Sequence, residues 1–193
     1  MYEFIQGEIA QLTPTQVVVE AGGVGYSIHI SLNTYTSLNG KPRAKVFTHL
    51  IVREDAHLLY GFATLAEREL FRNLLSVNGV GAATALMMLS SLSSDEIASA
   101  ITTENVNLLK SVKGIGLKTA QRIIIELKDK MGKVTAAGQI LIPSGNTLQN
   151  EALSALVMLG FARKDAEKAI AGILNEHPGL SVEIVIKHAL KRL

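Results

Sequence analysis

Two short strings carry the residues most able to do chemistry. Leu74-x-Ser76-Val77-x-Gly79-Val80-Gly81-x-x-Thr84-Ala85 recurs as Leu109-x-Ser111-Val112-x-Gly114-Ile115-Gly116-x-x-Thr119-Ala120. The offset is 35 residues throughout, seven of twelve positions are identical, and an eighth exchanges Val for Ile. Each string reads as helix, tight turn, helix. Glycines let the turn take positive φ and remove side chains that would block an approaching ligand. The middle residue, Val80 or Ile115, can plug back between the two helices. The first amides of the following helix lack intrahelical partners and sit at its positive dipole end. That combination suits an anion, and a phosphate oxygen is a natural occupant. Lys118, in the first turn of the second copy, adds charge, and Arg122 follows one turn above it on the same face.

Rival readings of these glycines fit less well. A dinucleotide fingerprint needs a third glycine, where Thr84 and Thr119 stand. Gly116-Leu117-Lys118-Thr119 is similar to the end of a P-loop, but the Gly-Lys adjacency is broken and Val112 occupies the first glycine's place. A helix hairpin that merely turns on glycine explains one copy easily. It explains two copies with the same Ser-Val before and Thr-Ala after much less well. Two phosphate sites fixed in one rigid body suit the two strands of a duplex, gripped without reading bases. Two copies are too few for a solenoid.

The elements that must position these turns follow from the periodicity. Residues 1–62 predict five strands, over Glu3–Leu12, Gln16–Glu20, Gly25–Ser31, Lys45–Arg53 and His57–Phe62. Phe47, His49 and Ile51 alternate with polar or smaller neighbours, and so do Tyr26, Ile28 and Ile30. Thr13-Pro14, Gly22-Gly23 and Asn39-Gly40 supply turns. Five short strands in this length suit a small Greek-key barrel of the oligonucleotide-binding type, and an SH3-like barrel fits the same count.

From Thr64 the period becomes helical. Thr64-x-x-Glu67 is a capping box ahead of Leu70, Phe71, Leu74 and Leu75, and Ser93-x-x-Glu96 repeats the signal. The last helix of this stretch buries Ala120, Ile123, Ile124 and Leu127 and is predicted to fray near Gly132. Residues 132–146, with Pro143-Ser144-Gly145, read as a tether. Beyond it, Leu148–Leu159, Lys164–Asn175 and Val182–Arg192 predict a three-helix bundle with a core that is marginal by size.

Composition bounds the function. The chain has 193 residues, 48% of them apolar, with a net charge of +2, which excludes a polycation that grips nucleic acid by bulk charge. The net charge is −1 over residues 1–62, +2 over 63–142 and +1 over 143–193. The absence of cysteine excludes disulfides, thiolate metal sites and a Cys nucleophile. His29, His49, His57, His177 and His188 show neither paired spacing nor a carboxylate cluster, so neither metal nor cofactor is expected. No window reaches eighteen unbroken apolar residues; the longest candidate, Ala82 to Leu89, stops at Ser90-Ser91, far short of a membrane span. The start, MYEFIQGE, lacks the features of a signal peptide, so the chain reads as soluble and cytoplasmic.

Taken together, the MYEFIQGEI start, the string Arg53-Glu54-Asp55-Ala56-His57-Leu58-Leu59-Tyr60-Gly61-Phe62, both hairpins and Met158-Leu159-Gly160-Phe161 resemble the RuvA family of Holliday-junction-binding subunits. The resemblance covers essentially the whole chain. It implies a multidomain α+β architecture: a five-stranded OB-fold barrel over 1–63, a tandem helix-hairpin-helix domain over 64–142, a linker over 143–148 and a three-helix domain similar to ubiquitin-associated bundles over 149–193. It implies a homotetramer on a four-way DNA junction, at times two tetramers face to face, acting in recombination and repair. The RuvB ATPase and the RuvC resolvase are the implied partners, and ATP chemistry belongs to RuvB.

The resemblance further implies phosphate contacts at Gly79, Val80, Gly81 and Thr84 and at Gly114, Ile115, Gly116, Lys118, Thr119 and Arg122. Glu54 and Asp55, which by themselves read as a solvated hairpin tip, become an acidic pin near the junction centre. Leu159 and Phe161 become partner contacts, although a helix C-cap with core neighbours explains Phe161 as well. One departure stands out: the family often has a basic residue after the first hairpin, where this chain has Ala82-Ala83-Thr84.

Two other functions compete. Base-excision glycosylases also use hairpins and a Lys with the spacing of Lys118. They need an Asp about eighteen residues later, where this chain has Ala136. A scaffold that binds duplex DNA without a motor is the second.

Overall fold

The computed structural model describes residues 2–135, 147–177 and 179–193, with side chains omitted for 129–135 and 147. The predicted tether at 132–146 lies mostly outside these residues, as does Pro178. The chain divides into two compact units, Met1–Ala136 and Ala137–Leu193.

The first unit opens with strands β1 (Phe4–Thr13), β2 (Gln16–Ala21) and β3 (Val24–Ile30). Helix α1 (Leu32–Leu38) precedes β4 (Arg43–Val52) and β5 (His57–Phe62). The strands close into a barrel in the order β1-β2-β3-β5-β4, with β3 and β5 parallel and every other pair antiparallel. Val17, Val19, Ile28, Ile30 and Val46 fill the interior. No apolar repeat in the sequence announces α1. Its start is a local polar bond in which the buried Ser31 hydroxyl accepts from the Thr34 amide.

Strand β5 is buried on both faces, which its unbroken apolar run already implies. Leu59 packs into the barrel, whereas Leu58, Tyr60 and Phe62 pack against the helices. Gly61 points inward, where a Cβ would come within 2.5 Å of Ile28 and 2.6 Å of Val46. The predicted alternation of Phe47, His49 and Ile51 is present, but these residues face the helices. Val46 and the buried Thr48, whose hydroxyl donates to Tyr2 O, face the barrel.

Five helices complete the unit: α2 (Leu65–Leu75), α3 (Ala82–Ser91), α4 (Ser94–Thr102), α5 (Val106–Lys110) and α6 (Leu117–Thr135). Both predicted capping boxes are formed, Thr64 with Glu67 and Ser93 with Glu96. Helix α2 seats the fully buried Phe71 against Tyr60, Phe62 and His49, with ring centroids 5.2, 4.9 and 5.7 Å away. Each such aromatic pair is worth about 0.5–1.5 kcal/mol beyond its buried area. Arg68, also buried, donates to the Glu3 carbonyl at 2.8 Å and pairs with the Glu3 carboxylate, tying α2 to β1. The Asn33 side chain of α1 donates to Leu89 O at 2.7 Å and Leu92 O at 3.0 Å. It thereby caps the far end of α3, whose other end follows the first hairpin. Helix α6 continues through Gly132 to Thr135, past the predicted fraying point.

The second unit is a bundle of α7 (Thr147–Met158), α8 (Arg163–Glu176) and α9 (Val182–Ala189). Of the predicted linker 143–148, Thr147 and Leu148 already belong to α7, and the rest lies outside the described residues. Leu156, Ile170, Ile173 and Val185 form its core, and Ala152, Ala166 and Ala189 let the helices approach closely.

Candidate nucleic-acid interface

The two repeats fold with the same hydrogen bonds. The Ser76 amide donates to Arg72 O and Asn73 O, and the Ser111 amide donates to Asn107 O and Leu108 O. The Ser76 hydroxyl donates to Asn73 O and the Ser111 hydroxyl to Leu108 O, both at 2.7 Å. The Val80 amide reaches Val77 O and the Ile115 amide reaches Val112 O, each at 3.1 Å. Ala85 then donates to Gly81 O and Ala120 to Gly116 O, both at 2.9 Å, and a new helix begins. Val77, Val80, Val112 and Ile115 are buried in one core, so each turn is pinned from inside by its middle residue.

Within each turn the glycines have separate tasks. Gly79 and Gly114 hold φ at +91° and +92°, a region that side chains rarely adopt. Gly81 has an ordinary φ of −88°, and a Cβ there would meet nothing in the protein within 4 Å. Gly116 is equally open. Neither position is kept bare by a neighbour inside the protein. Gly81 caps α3 without any side-chain bond, which leaves the first amides of that helix available to an anion. Thr84 and Thr119 are half-buried one turn further in.

Charge is distributed unequally between the turns. The second hairpin has Lys118, exposed in the first turn of α6, and also the exposed Lys113 in the turn itself. Reading the sequence for the helix that follows the turn missed Lys113. Asn78 and Ala83 stand at the equivalent positions of the first hairpin, 35 residues earlier. Arg122 does not stay with the second hairpin: its Nη1 donates to Asn78 O at 3.1 Å, and its Nε lies 3.9 Å from Glu126. A bond across repeats leaves no local spacing signal. Only aligning the copies reveals the gap that it fills.

Glu54 and Asp55 form the exposed tip between β4 and β5. The Arg53 amide donates to Ala56 O at 2.8 Å, directly beyond the last ladder pair, Val52 with His57. The next pair, Ile51 with Leu58, packs against the helical core. The tip is therefore carried on a stem braced by the domain that holds the hairpins. Arg53 beside it is also exposed.

In the C-terminal bundle, Leu159 is 60% exposed beside Met158 at 88%. Gly160, at φ +97°, ends α7, and Phe161 folds back so that its amide donates to Leu156 O at 3.1 Å. Phe161 packs against the core while also lining a surface pocket with Lys168 and Arg192. Leu159 thus faces solvent, and Phe161 is shared between core and surface.

Among the described residues no three His, Asp or Glu side chains gather as metal ligands. His177 and His188 form an edge-to-face ring pair. No described helix is long and apolar enough to cross a membrane. Ala136, where a glycosylase requires its aspartate, lies outside the described residues.

Comparison with known proteins agrees along the chain. The family model for the RuvA N terminal domain matches residues 1–61, the SAM-like helix-hairpin-helix tandem matches 71–129, and the RuvA C-terminal domain matches 147–193. A protein of Bacteroides fragilis named Holliday junction branch migration complex subunit RuvA is 52% identical over 201 residues, covering all of both chains. Proteins of the same name from Christiangramia forsetii and Flavobacterium psychrophilum are each 49% identical over 193 residues, again covering both chains completely. With a closed five-stranded barrel, a duplicated hairpin and a three-helix bundle in the order that those models describe, this chain belongs to the RuvA family.

Proposed function

We propose that the chain binds four-way DNA junctions as the non-catalytic subunit of a branch-migration complex. The observation that carries this is the pair of hairpins with matching hydrogen bonds and solvent-open glycines, which offers two anion sites in one rigid body. The name of the full-length relatives supports it. Phosphates would lie against the Gly79–Gly81 and Gly114–Gly116 turns, with Thr84, Thr119, Lys118 and Arg122 beside them. Such contacts hold DNA without reading its sequence. Glu54 and Asp55 would repel backbone at the crossing point and favour an open junction over continuous duplex. Specificity of that kind needs several tips around one centre, which the homotetramer implied by the family resemblance, or two of them face to face, would supply.

The bundle over residues 149–193, joined through 143–148 to the helix-hairpin-helix domain at 64–142 and the barrel at 1–63, would dock the RuvB ATPase through Leu159 and Phe161. RuvC would share the junction, and the setting is the cytoplasm. The test is binding to a synthetic four-way junction and to a linear duplex of equal arm length at one stated salt concentration. Preference for the junction with a tetramer-sized shift is the expected result. Equal affinity would leave a general duplex binder and return Glu54 and Asp55 to a hairpin tip.

A further inference from the structure

We infer that Arg122, a residue of the second repeat, is the positioned cation of the first hairpin. This rests on the reading of both hairpins as phosphate sites. The turn Asn78-Gly79-Val80-Gly81 and the whole of α3 contain no charged residue. The second hairpin has Lys113 and Lys118 of its own, at the positions where the first has Asn78 and Ala83. The residue equivalent to Arg122 in the first repeat is Met87. At these three aligned positions the second copy has a basic residue and the first has none, and Arg122 corrects the imbalance by position.

Its guanidinium reaches the first turn and donates to Asn78 O at 3.1 Å. That bond uses one of five N–H donors. Glu126, at 3.9 Å from Nε, is beyond hydrogen-bond distance and still acts as a neighbouring charge. The side chain is about half exposed, so most of the fork is free to meet a phosphate held by the amides at the start of α3. A planar fork can bond a carbonyl on one edge and an anion on another, which a lysine ammonium does less specifically. In this arrangement Arg122 makes the two hairpins one clamp.

The test compares the salt dependence of four-way-junction binding for the full chain and its R122A, A83K and R122A/A83K variants. Losing Arg122 lowers the log–log slope by about one per bound subunit. A83K leaves the slope of the parent chain unchanged, because the first hairpin already has its cation, and restores the slope in the R122A background. Equal gains in both backgrounds would overturn the inference. R122Q removes the charge and keeps a polar amide, two bonds shorter than the guanidinium tip, and its slope matches that of R122A. A slope for R122Q equal to the parent's would reduce Arg122 to a strut and also overturn the inference. If R122A leaves the slope unchanged while K118A lowers it, only this inference falls. If K113A, K118A and R122A all leave it unchanged, the phosphate reading of both hairpins falls as well.

Discussion

Replacing the glycines of the first hairpin one at a time separates folding from binding. In Gly79→Ala the methyl group is forced to a φ near +91°, which costs about 1–2 kcal/mol of stability. In Gly81→Ala the backbone is ordinary and the space is empty, so the change in stability stays within about 0.5 kcal/mol. The methyl nevertheless stands where a phosphate would approach the α3 amides, so junction affinity falls by roughly ten-fold or more. Denaturation midpoints and junction binding on the two variants check this, and an affinity unchanged in Gly81→Ala would remove the first turn from the interface. Lys118→Ala makes the complementary test, with stability retained and the salt slope lowered by about one per bound subunit. Both glycines were legible in the sequence as turn residues. Their separate tasks were not, because a positive φ and an open approach leave the same letter.

Among the elements, the seam between α2 and the barrel carries a pH dependence. His49 sits under Phe71 with its Nδ1 3.4 Å from Arg72 Nε. Burial, then the Arg72 and Arg68 charges, hold its imidazole below the ordinary value near 6.5, and Glu69 opposes them weakly. On the same seam the hydrogen bond from Arg68 holds the Glu3 carboxyl below its ordinary value near 4.5. In both cases the unfolded chain binds more protons than the folded one, so stability rises with pH across the window between the two values. The His49 contribution is complete above about pH 6.5 and is lost as pH falls through its depressed value; that of Glu3 is lost further into acid. The denaturation midpoint of the chain should therefore fall in steps on acidification, and His49→Gln should flatten the first step only. Superimposable profiles of the parent and His49→Gln would show that His49 contributes nothing to the first step. The alternation that places His49 was legible, but its direction was not. Periodicity separates two faces of a strand without saying which of two cores each one meets.

At the scale of the molecule, the change from period two to period 3.6 after Phe62 marks where strands give way to helices, and it does not coincide with the boundary between the two compact units. That the barrel and hairpins share one unit follows instead from β5, whose Leu58, Tyr60 and Phe62 belong to the helical core. Ile51 and Leu58 pack the stem of the tip against the helical core that also buries Val80 and Ile115 of the hairpins. Each chain brings two carboxylates to the tip, and four chains around a crossing would gather eight where the strands converge. On the proposed reading, continuous duplex drawn over that point would meet their combined repulsion, whereas an open junction would lead its arms away from it. Glu54→Gln with Asp55→Asn removes the charge and keeps the size of both side chains. Each repulsion is between exposed, screened groups, so the summed effect is about 1 kcal/mol, roughly a five-fold gain in duplex affinity relative to junction. The gain should shrink as salt rises, while the salt slope for the junction stays with Lys118 and Arg122. An unchanged junction-to-duplex ratio in the double variant would leave the tip as a solvated turn and place the whole of junction selectivity in the geometry of the hairpins.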